Sequence, residues 1–251
     1  MDSERGRVMA VRLENYMFRS DVGTYEEINK LISDGKVKIN GVVKTDNNYK
    51  VDTLSDFVEV NDALLFYRRY VYLMLNKPAG FSAKANDRHY KTIFSMLPDW
   101  CARRGLKPVN MLDIDLSGLV ILTDDEGLRI FEASQKKNKD MVYHVQTDKP
   151  AAIKHVDAFS NGMKMRDFTG QIAQLSKTES YYKDEFASRV TTKECGYEDI
   201  RRMFNAIGIK VISAELIAYG DIILPIELET GAWRELKVNE LEILNIKNPY
   251  A

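Results

Sequence analysis

Two acidic residues stand directly in front of an apolar run in the stretch NMLDIDLSGLVILTDDEGL. Asp113 and Asp115 precede residues 119–122, which are apolar and partly β-branched and therefore predict a buried strand. A carboxylate at the mouth of a core strand can act as a nucleophile or a proton acceptor. It can also be an ordinary turn residue that hydrogen-bonds within its own loop. The residue types alone leave both interpretations of Asp113 open.

The other reactive residue types offer little alternative chemistry. The two cysteines, Cys101 and Cys195, are too few for a disulfide framework and have no zinc-type spacing, so we expect reduced thiols. The three histidines are scattered along the chain, and no metal site is predicted from them. The formal net charge is −1, so any nucleic-acid-binding surface must be a local one.

The length and composition bound the architecture. A chain of 251 residues with 45% apolar content can form one or two domains with a sizeable core. It contains no run of about 18 apolar residues, so no membrane span is predicted. The first ten residues, MDSERGRVMA, lack the apolar segment of a signal peptide. We therefore expect a cytoplasmic protein.

The first sixty residues predict two short helices and a hairpin. RLENYMF places its apolar residues on one helical face, and TYEEINKLISDG begins with a capping box of Thr24 and Glu27. In KVKINGVVK, alternating residues flank Asn40-Gly41, a strong hairpin signal. By pattern alone, the lysines around this hairpin form either a solvated strand face or a patch that contacts phosphate groups. These lysines are Lys36, Lys38 and Lys44.

This segment resembles a known RNA-binding module. The order RLxxY followed by GTYEEIxxLIxxGKVxINGxV, over about residues 11–60, closely resembles the alpha-L RNA-binding motif, first described in a small-subunit ribosomal protein. The resemblance implies that Arg12 and the three hairpin lysines contact RNA. The module usually carries one or two basic residues where residues 24–27 here are Thr-Tyr-Glu-Glu, which implies a weaker grip on RNA.

The rest of the chain predicts a mixture of strands and helices. VYLML, residues 71–75, predicts a strand that Pro78 and Gly80 end in a turn. Lys77, at the end of that strand, is by itself no more than a solvated end residue. KTIFSMLPDW, residues 91–100, predicts a short amphipathic helix.

Four motifs in this second part share their order and spacing with one enzyme family. They are YLMLNKPAG, LDIDLSGLVILTDDEGL, VYHV, and IRRMFNAIGIKVISAEL followed by GAWREL. With its alpha-L module, the chain resembles a bacterial ribosomal-RNA pseudouridine synthase of the small- and large-subunit type, over about residues 11–243. The resemblance implies an enzyme that isomerises a uridine of RNA without a cofactor. We expect ribosomal RNA as the partner, and the sequence does not decide between ribosomal and transfer RNA. We expect a monomer.

The resemblance also assigns the acid at the strand mouth. The second motif of the family reads GRLDxDTxGL, and its catalytic aspartate falls on Asp113. That carboxylate would attack the anomeric carbon of the sugar or help to form a glycal by proton abstraction. The sequence does not decide between these routes. The target base must first leave its stack before a carboxylate can reach the sugar.

Further roles follow from the same motifs. Tyr143, in the family's KxYxV motif, would stack on the uracil and help to move the proton from ring carbon five. Arg201, in its QxRRMF motif, would pair with Asp113 and hold it ionised. The alternative to these roles is a purely structural one, with Tyr143 as an ordinary strand residue and Arg201 on an exposed helix face. Ile223 and Leu224 would close the pocket over the base, and three more residues are predicted to bind substrate: Lys77, Met111 and Arg202.

The chain departs from the family along the expected RNA path. Met111 and Met141 replace a motif arginine and a motif lysine, and a basic loop before Arg201 has become acidic at Asp199. Lys136 and Lys137 can restore some positive charge before Tyr143. A second hypothesis is therefore a non-catalytic RNA-binding or ribosome-associated protein on the same fold.

The predicted fold is α+β. A helix–helix–hairpin module covers residues 10–60, after a tail of residues 1–9. Residues 61–70 form a linker. Residues 71–251 form a catalytic domain with a mixed, mainly antiparallel sheet and a central cleft.

Overall fold

The structure, a computed structural model, describes residues 10–135, 139–162, 173–177, 186–193 and 196–246. The chain forms two compact units. The first contains the described residues up to 71, together with 99–106 and 245–246, and the second contains those in 72–98 and 107–244. The domain boundaries drawn from the sequence remain a prediction. In the part of the chain that the structure describes, no helix is long and apolar enough to cross a membrane.

The first unit holds short helices over two small sheets. Its elements are β1 (Ala10–Arg12), α1 (Leu13–Arg19), α2 (Tyr25–Ser33), β2 (Val37–Ile39), β3 (Val42–Val43), β4 (Lys50–Asp52), β5 (Val58–Val60), β6 (Ala63–Leu64) and α3 (Asp99–Arg103). Strands β3, β2, β5 and β6 form one antiparallel sheet in that order, and β1 pairs with β4. The apolar stripes of α1 and α2 pack with the inner strand residues in one core, because each stripe must be shielded from water.

The predicted cap and hairpin of this unit are both present. The Thr24 backbone N–H donates to the Glu27 carboxylate at 2.7 Å, and the Thr24 hydroxyl accepts from the Glu27 N–H at 3.3 Å. Asn40 and Gly41 have φ angles of 51° and 78°, the left-handed pair that a two-residue hairpin turn requires. The turn joins β2 to β3.

The helix predicted over residues 91–100 is wrong. A 3-10 turn at Ile93–Met96 in the second unit is followed by an extended Leu97 and then by α3 in the first unit. The cause is Pro98, whose ring disfavours the helical conformation of the preceding residue. The nearby Arg104 is buried in the first unit, where it donates to the backbone carbonyls of Arg19 and Arg68 and lies beside Asp21.

The second unit is built on a large sheet. Its elements are β7 (Tyr72–Lys77), β8 (Lys107–Pro108), β9 (Ser117–Thr123), α4 (Glu126–Gln135), β10 (Met141–Thr147), α5 (Ile153–Ser160), β11 (Ala173–Lys177), β12 (Ala187–Thr192), α6 (Tyr197–Ala206), β13 (Val211–Tyr219), β14 (Ile222–Ile223), β15 (Trp233–Glu235) and α7 (Val238–Ile243).

The sheet of the second unit is mixed and mainly antiparallel, as the sequence predicted. Its described strands run in the order β11-β12-β10-β13-β9-β7-β15, with β14 paired to β13 and β8 paired to β9. Within these described strands only β9 and β13 are parallel. This pair places the start of β9, and the loop before it, next to the middle of β13.

Gly118 makes the parallel pair possible. It lies opposite Leu216 with φ +108°, and an added Cβ would lie 2.3 Å from the Leu216 carbonyl oxygen. Any side chain at this position would therefore push β9 away from β13.

Candidate active site

One cavity of about 450 Å³ in the second unit contains Asp113. The loop between β8 and β9 forms one wall, α4 forms another, and β10, the start of α6 and β13 complete the lining. Asp113 is exposed on this loop, and Met111 beside it is exposed as well. The volume lies within the range of small-molecule sites, roughly 300–1,000 Å³, which is enough for one nucleotide base and its sugar.

Asn110 fixes the loop on the side before Asp113. Its side chain is buried and acts as a strand partner to β9: its amide nitrogen donates to the Leu119 carbonyl at 2.8 Å, and its amide oxygen accepts from the Ile121 N–H at 2.9 Å. Asn110 stands at the position of the first glycine in the motif GRLDxDTxGL. It ties the loop that carries Asp113 to the central strand β9.

Lys77 fixes the loop on the side after Asp113. It is fully buried, and its Nζ donates to the carbonyls of Leu116 at 2.6 Å, Pro78 at 3.1 Å and Ile114 at 3.3 Å. The Gly80 N–H also donates to Ile114 O, at 2.7 Å. Three ammonium hydrogens directed at three carbonyls restrict the backbone that presents Asp113.

The placement of Lys77 differs from its predicted role in substrate binding. Its side chain is not part of the cavity lining, and its donors are all directed at main-chain oxygens. Burial lowers the pKa of Lys77 to about 8, and the carboxylates of Asp113 and Asp115 partly oppose this shift. Lys77 is therefore a positioning residue for the acidic loop.

Tyr143 lies in the same cavity as Asp113, as expected. It is buried on β10, and its hydroxyl lies 3.6 Å from the sulfur of Met141, which also lines the cavity. Met111 lines the cavity from the loop. Both methionines that replace basic family residues therefore contribute apolar surface, so this wall favours contact with a base over contact with a phosphate.

Glu132, which lines the cavity, forms an ion pair with Lys139, which is not part of the lining. Glu132 on α4 has no exposed surface, and Lys139 Nζ lies 2.5 Å from its Oε2. Lys139 also lies over the ring of Tyr219, 5.3 Å from the centroid. Burial and the Glu132 carboxylate raise the pKa of the Tyr219 hydroxyl above its ordinary range. Lys139 thus supplies a cation two residues away from the position that Met141 leaves uncharged.

Arg201 does not form the expected ion pair with Asp113. Within the described residues, its Nη1 lies 3.2 Å from Glu198 Oε2, one helical turn back, and its guanidinium lies 5.6 Å from the centre of the Tyr197 ring. Tyr197 lines the cavity, whereas Arg201 is not part of the lining. Arg202, half-buried on the same helix, is likewise not part of the cavity lining.

Ile223 and Leu224 do not close this cavity. Both line a second cavity that also contains His144 and Glu215. Neighbouring residues of a strand point to opposite sides of the sheet. On β14, Ile222 is buried and Ile223 is exposed, so the two side chains point to opposite faces of the sheet.

The predicted RNA-contacting residues of the first unit are at least partly accessible. Arg12 lies 3.8 Å from Glu14, Lys36 is exposed, Lys38 donates to Asp62 at 2.6 Å, and Lys44 lies 4.4 Å from the centre of the Tyr49 ring. Lys136 and Lys137 lie outside the residues that the structure describes.

The contribution of α4 to the cavity wall was not predicted from the sequence. Arg129, Glu132 and Ala133 all line the cavity. Their spacing of three and one residues puts them on one helical face, a signal that was present in the sequence. Tyr197 and Tyr219 were also missed, since a tyrosine at the end of a helix or strand carries no signal of its own.

Comparisons with known proteins agree with this architecture. The S4 domain family matches residues 11–58. The ribosomal small subunit pseudouridine synthase A of Haemophilus influenzae is 28% identical over 234 residues, 93% of this chain and 99% of that protein. A solved structure described as "Crystal structure of pseudouridylate synthase" is 29% identical, has a TM-score of 0.61, and is matched over 93% of this chain and 99% of that one.

The ribosomal large subunit pseudouridine synthase B of Bacillus subtilis is 31% identical over 239 residues, 93% of this chain and 95% of that protein. The chain belongs to the pseudouridine synthase family. This confirms the family that the order of the motifs predicted, together with the mixed α+β fold. In this pseudouridine synthase the S4 domain lies in the first unit, and the Asp113 cavity lies in the second.

Replacing Lys77 with methionine tests the anchoring of the loop. Catalytic turnover should fall by about 10²-fold, because a misplacement of roughly 1 Å has this effect, while RNA affinity stays near that of the wild type. Folded Lys77 has a pKa of about 8 against an ordinary 10.5, so the unfolded chain binds more protons between these values. The unfolding free energy of the wild type should therefore rise relative to that of Lys77→Met from pH 8 to 10.5.

Urea unfolding at several pH values, with single-turnover kinetics, measures both effects. Lys84→Met is the control, because Lys84 is exposed. If the difference in unfolding free energy between Lys77→Met and the wild type did not change with pH, the lowered pKa of Lys77 would be contradicted.

Proposed function

We propose that the protein isomerises a uridine of ribosomal RNA to pseudouridine, in the cytoplasm, with Asp113 as the catalytic carboxylate. The observation that carries this proposal is the anchored loop that presents Asp113 at a cavity shared with Tyr143. The family membership gives the reaction class. The names of the relatives, which are ribosomal small and large subunit pseudouridine synthases, support ribosomal RNA as the substrate.

The reaction requires one carboxylate and a cavity that holds the detached uracil. The bond between the sugar and ring nitrogen one breaks, the detached uracil turns, and ring carbon five bonds to the same sugar carbon. Carbon five then loses one proton and nitrogen one gains one. A carboxylate can stabilise the sugar by direct attack or take a proton from it to give a glycal. Because the product has the composition of the substrate, no redox partner or second substrate is needed. The target uridine must be turned out of its stack to enter the cavity.

The neighbours of Asp113 divide the remaining tasks. We assign Tyr143 to contact with the uracil ring and to relay of the proton from carbon five. Met111 and Met141 provide apolar surface for the base. Arg201 can orient Asp113 in the RNA-bound state only if it exchanges Glu198 for Asp113, so its role depends on a side-chain movement.

The first unit supplies a second contact with RNA. Its S4 domain family match and its lysines support binding through phosphates. The Lys38–Asp62 pair is solvent-exposed, so a phosphate group can compete for the ammonium.

A second candidate function is RNA binding without catalysis. The Arg201–Glu198 pair favours it, because the guanidinium predicted to hold Asp113 ionised is directed at another carboxylate. Activity measurements on Asp113 variants separate the two functions.

Asp113→Asn should abolish pseudouridine formation and leave RNA affinity nearly unchanged. Asparagine keeps the shape of aspartate but loses the nucleophilic and proton-accepting oxygen. Tritium release from uridine labelled at carbon five measures turnover, and a loss of at least about 10³-fold, a barrier increase of ~4 kcal/mol, is expected. Asp115→Asn is the matched control because Asp115 is exposed on the same loop, and it should stay within about tenfold of the wild type.

Residual turnover of Asp113→Asn within about tenfold of wild type would exclude Asp113 as the catalytic acid. A wild type that binds RNA but is inactive on total RNA from cells lacking the protein would favour the second candidate function.

The hairpin lysines have their own test. Replacing Lys36, Lys38 and Lys44 with alanine should weaken binding to unrelated RNA sequences alike. It should also reduce the slope of log affinity against log salt by about 2, at roughly 0.7 per lost phosphate contact. Binding titrations at several salt concentrations measure this slope. An equal effect of replacing Lys149, Lys154 and Lys210, which are exposed on the second unit, would contradict a specific role of the hairpin.

A further inference from the structure

The sheet of the second unit carries a second cavity on the side opposite the Asp113 cavity. Tyr143 lines the Asp113 cavity and the next residue, His144, lines the other one. On β13, Leu216 faces the first cavity, while Glu215 and Ile217 face the second. Alternate strand residues point to opposite faces, so one pair of strands separates the two spaces. This reverse-face cavity measures about 440 Å³, and the segment 223–230 forms its other wall.

Asn76 lines the reverse-face cavity, and its side-chain oxygen is a buried acceptor. Its side chain is only 5% exposed, and its amide nitrogen donates to the Leu228 carbonyl at 2.9 Å, which fixes the orientation of the amide. The backbone N–H of Asn76 donates to Ala232 O, and its carbonyl accepts from the Gly231 N–H. The side-chain oxygen accepts no hydrogen bond from any residue that the structure describes. A buried acceptor without a donor is costly, so a ligand that donates to it would bind favourably.

The charges around the reverse-face cavity favour a cation. Three carboxylates line it, those of Glu215, Glu227 and Glu229, against the guanidinium of Arg189 and the imidazole of His144. Burial raises the pKa of the Glu215 carboxyl, and a cation nearby would favour its charged form. This excess of carboxylates disfavours a phosphate-bearing ligand, in contrast to the surface expected to meet RNA.

The rim of the cavity is apolar. Ile223 and Ile226 are 66% and 61% exposed, and Ile217, which also lines the cavity, is partly buried. Long cationic groups bury their methylene stems along such surfaces while the charged head reaches polar partners.

We propose that the reverse-face cavity binds a ligand that carries a guanidinium or primary ammonium group on an apolar stem. The stem lies along Ile223 and Ile226. The head donates to Glu215 and to the side-chain oxygen of Asn76. Such a group occurs in free diamines and in the arginine or lysine side chains of a basic peptide, and these sources share the same chemistry.

Titration calorimetry on the full chain tests this proposal with two probes. Agmatine represents the free cation, and N-acetyl-arginine amide represents the peptide side chain. N-acetyl-citrulline amide, which is uncharged and of nearly the same shape, is the control ligand. At least one cationic probe should bind with a Kd below about 1 mM, and the citrulline compound at least tenfold more weakly. Whichever probe binds at least tenfold more tightly identifies the source.

Glu215→Gln should weaken binding of the probe at least tenfold. The midpoint temperature of thermal unfolding should stay unchanged or rise, because a buried acid is removed. The double variant Glu227→Gln/Glu229→Gln should weaken it too. Glu242→Gln is the matched control, since Glu242 is an exposed carboxylate on α7, and it should have no effect. The absence of binding by both cationic probes, equal binding of citrulline, or an equal effect of Glu242→Gln would overturn the proposal. Displacement of the probe by a uridine-containing oligonucleotide would also overturn it.

Discussion

A buried lysine amine holds the loop on which the candidate active site depends. The Nζ of Lys77 donates to the Pro78 carbonyl and to the carbonyls of Ile114 and Leu116, which follow Asp113 in the loop. Without these hydrogen bonds the segment would be an ordinary connection between β8 and β9. On the other side, Asn110 ties the same loop to β9. An exposed carboxylate is thus held by a rigid backbone, which is the condition for placing it against a sugar carbon.

The sheet distributes two chemistries to its two faces. The strands β10 and β13 present Tyr143 and Leu216 to the Asp113 cavity, and His144 and Glu215 to the reverse-face cavity. Gly118 allows β9 to approach β13 closely enough to bring the acidic loop to the first face. The alternation of residues along these two strands therefore separates the proposed base site from the proposed cation site.

The sequence predicted the parts that depend on local pattern or on the order of motifs. The Thr24–Glu27 capping box, the Asn40-Gly41 hairpin, the mixed sheet and the family are confirmed, because each follows from short-range chemistry or from a specific set of motifs. The choice of side-chain partners was not predictable in this way. Lys77 is directed to main-chain oxygens, Arg201 to Glu198, and Ile223 to the opposite cavity, because these contacts depend on tertiary packing.

The most direct test of the central claim is a map of pseudouridine in cellular RNA by mass spectrometry, comparing cells that contain the protein with cells that lack it. If the protein is an active synthase, at least one pseudouridine, expected in ribosomal RNA, should be a uridine in the deficient cells. It should return when the wild-type chain is supplied, and it should not return with the Asp113→Asn chain. Identical maps in both kinds of cell would contradict an active synthase and leave RNA binding as the function of this fold.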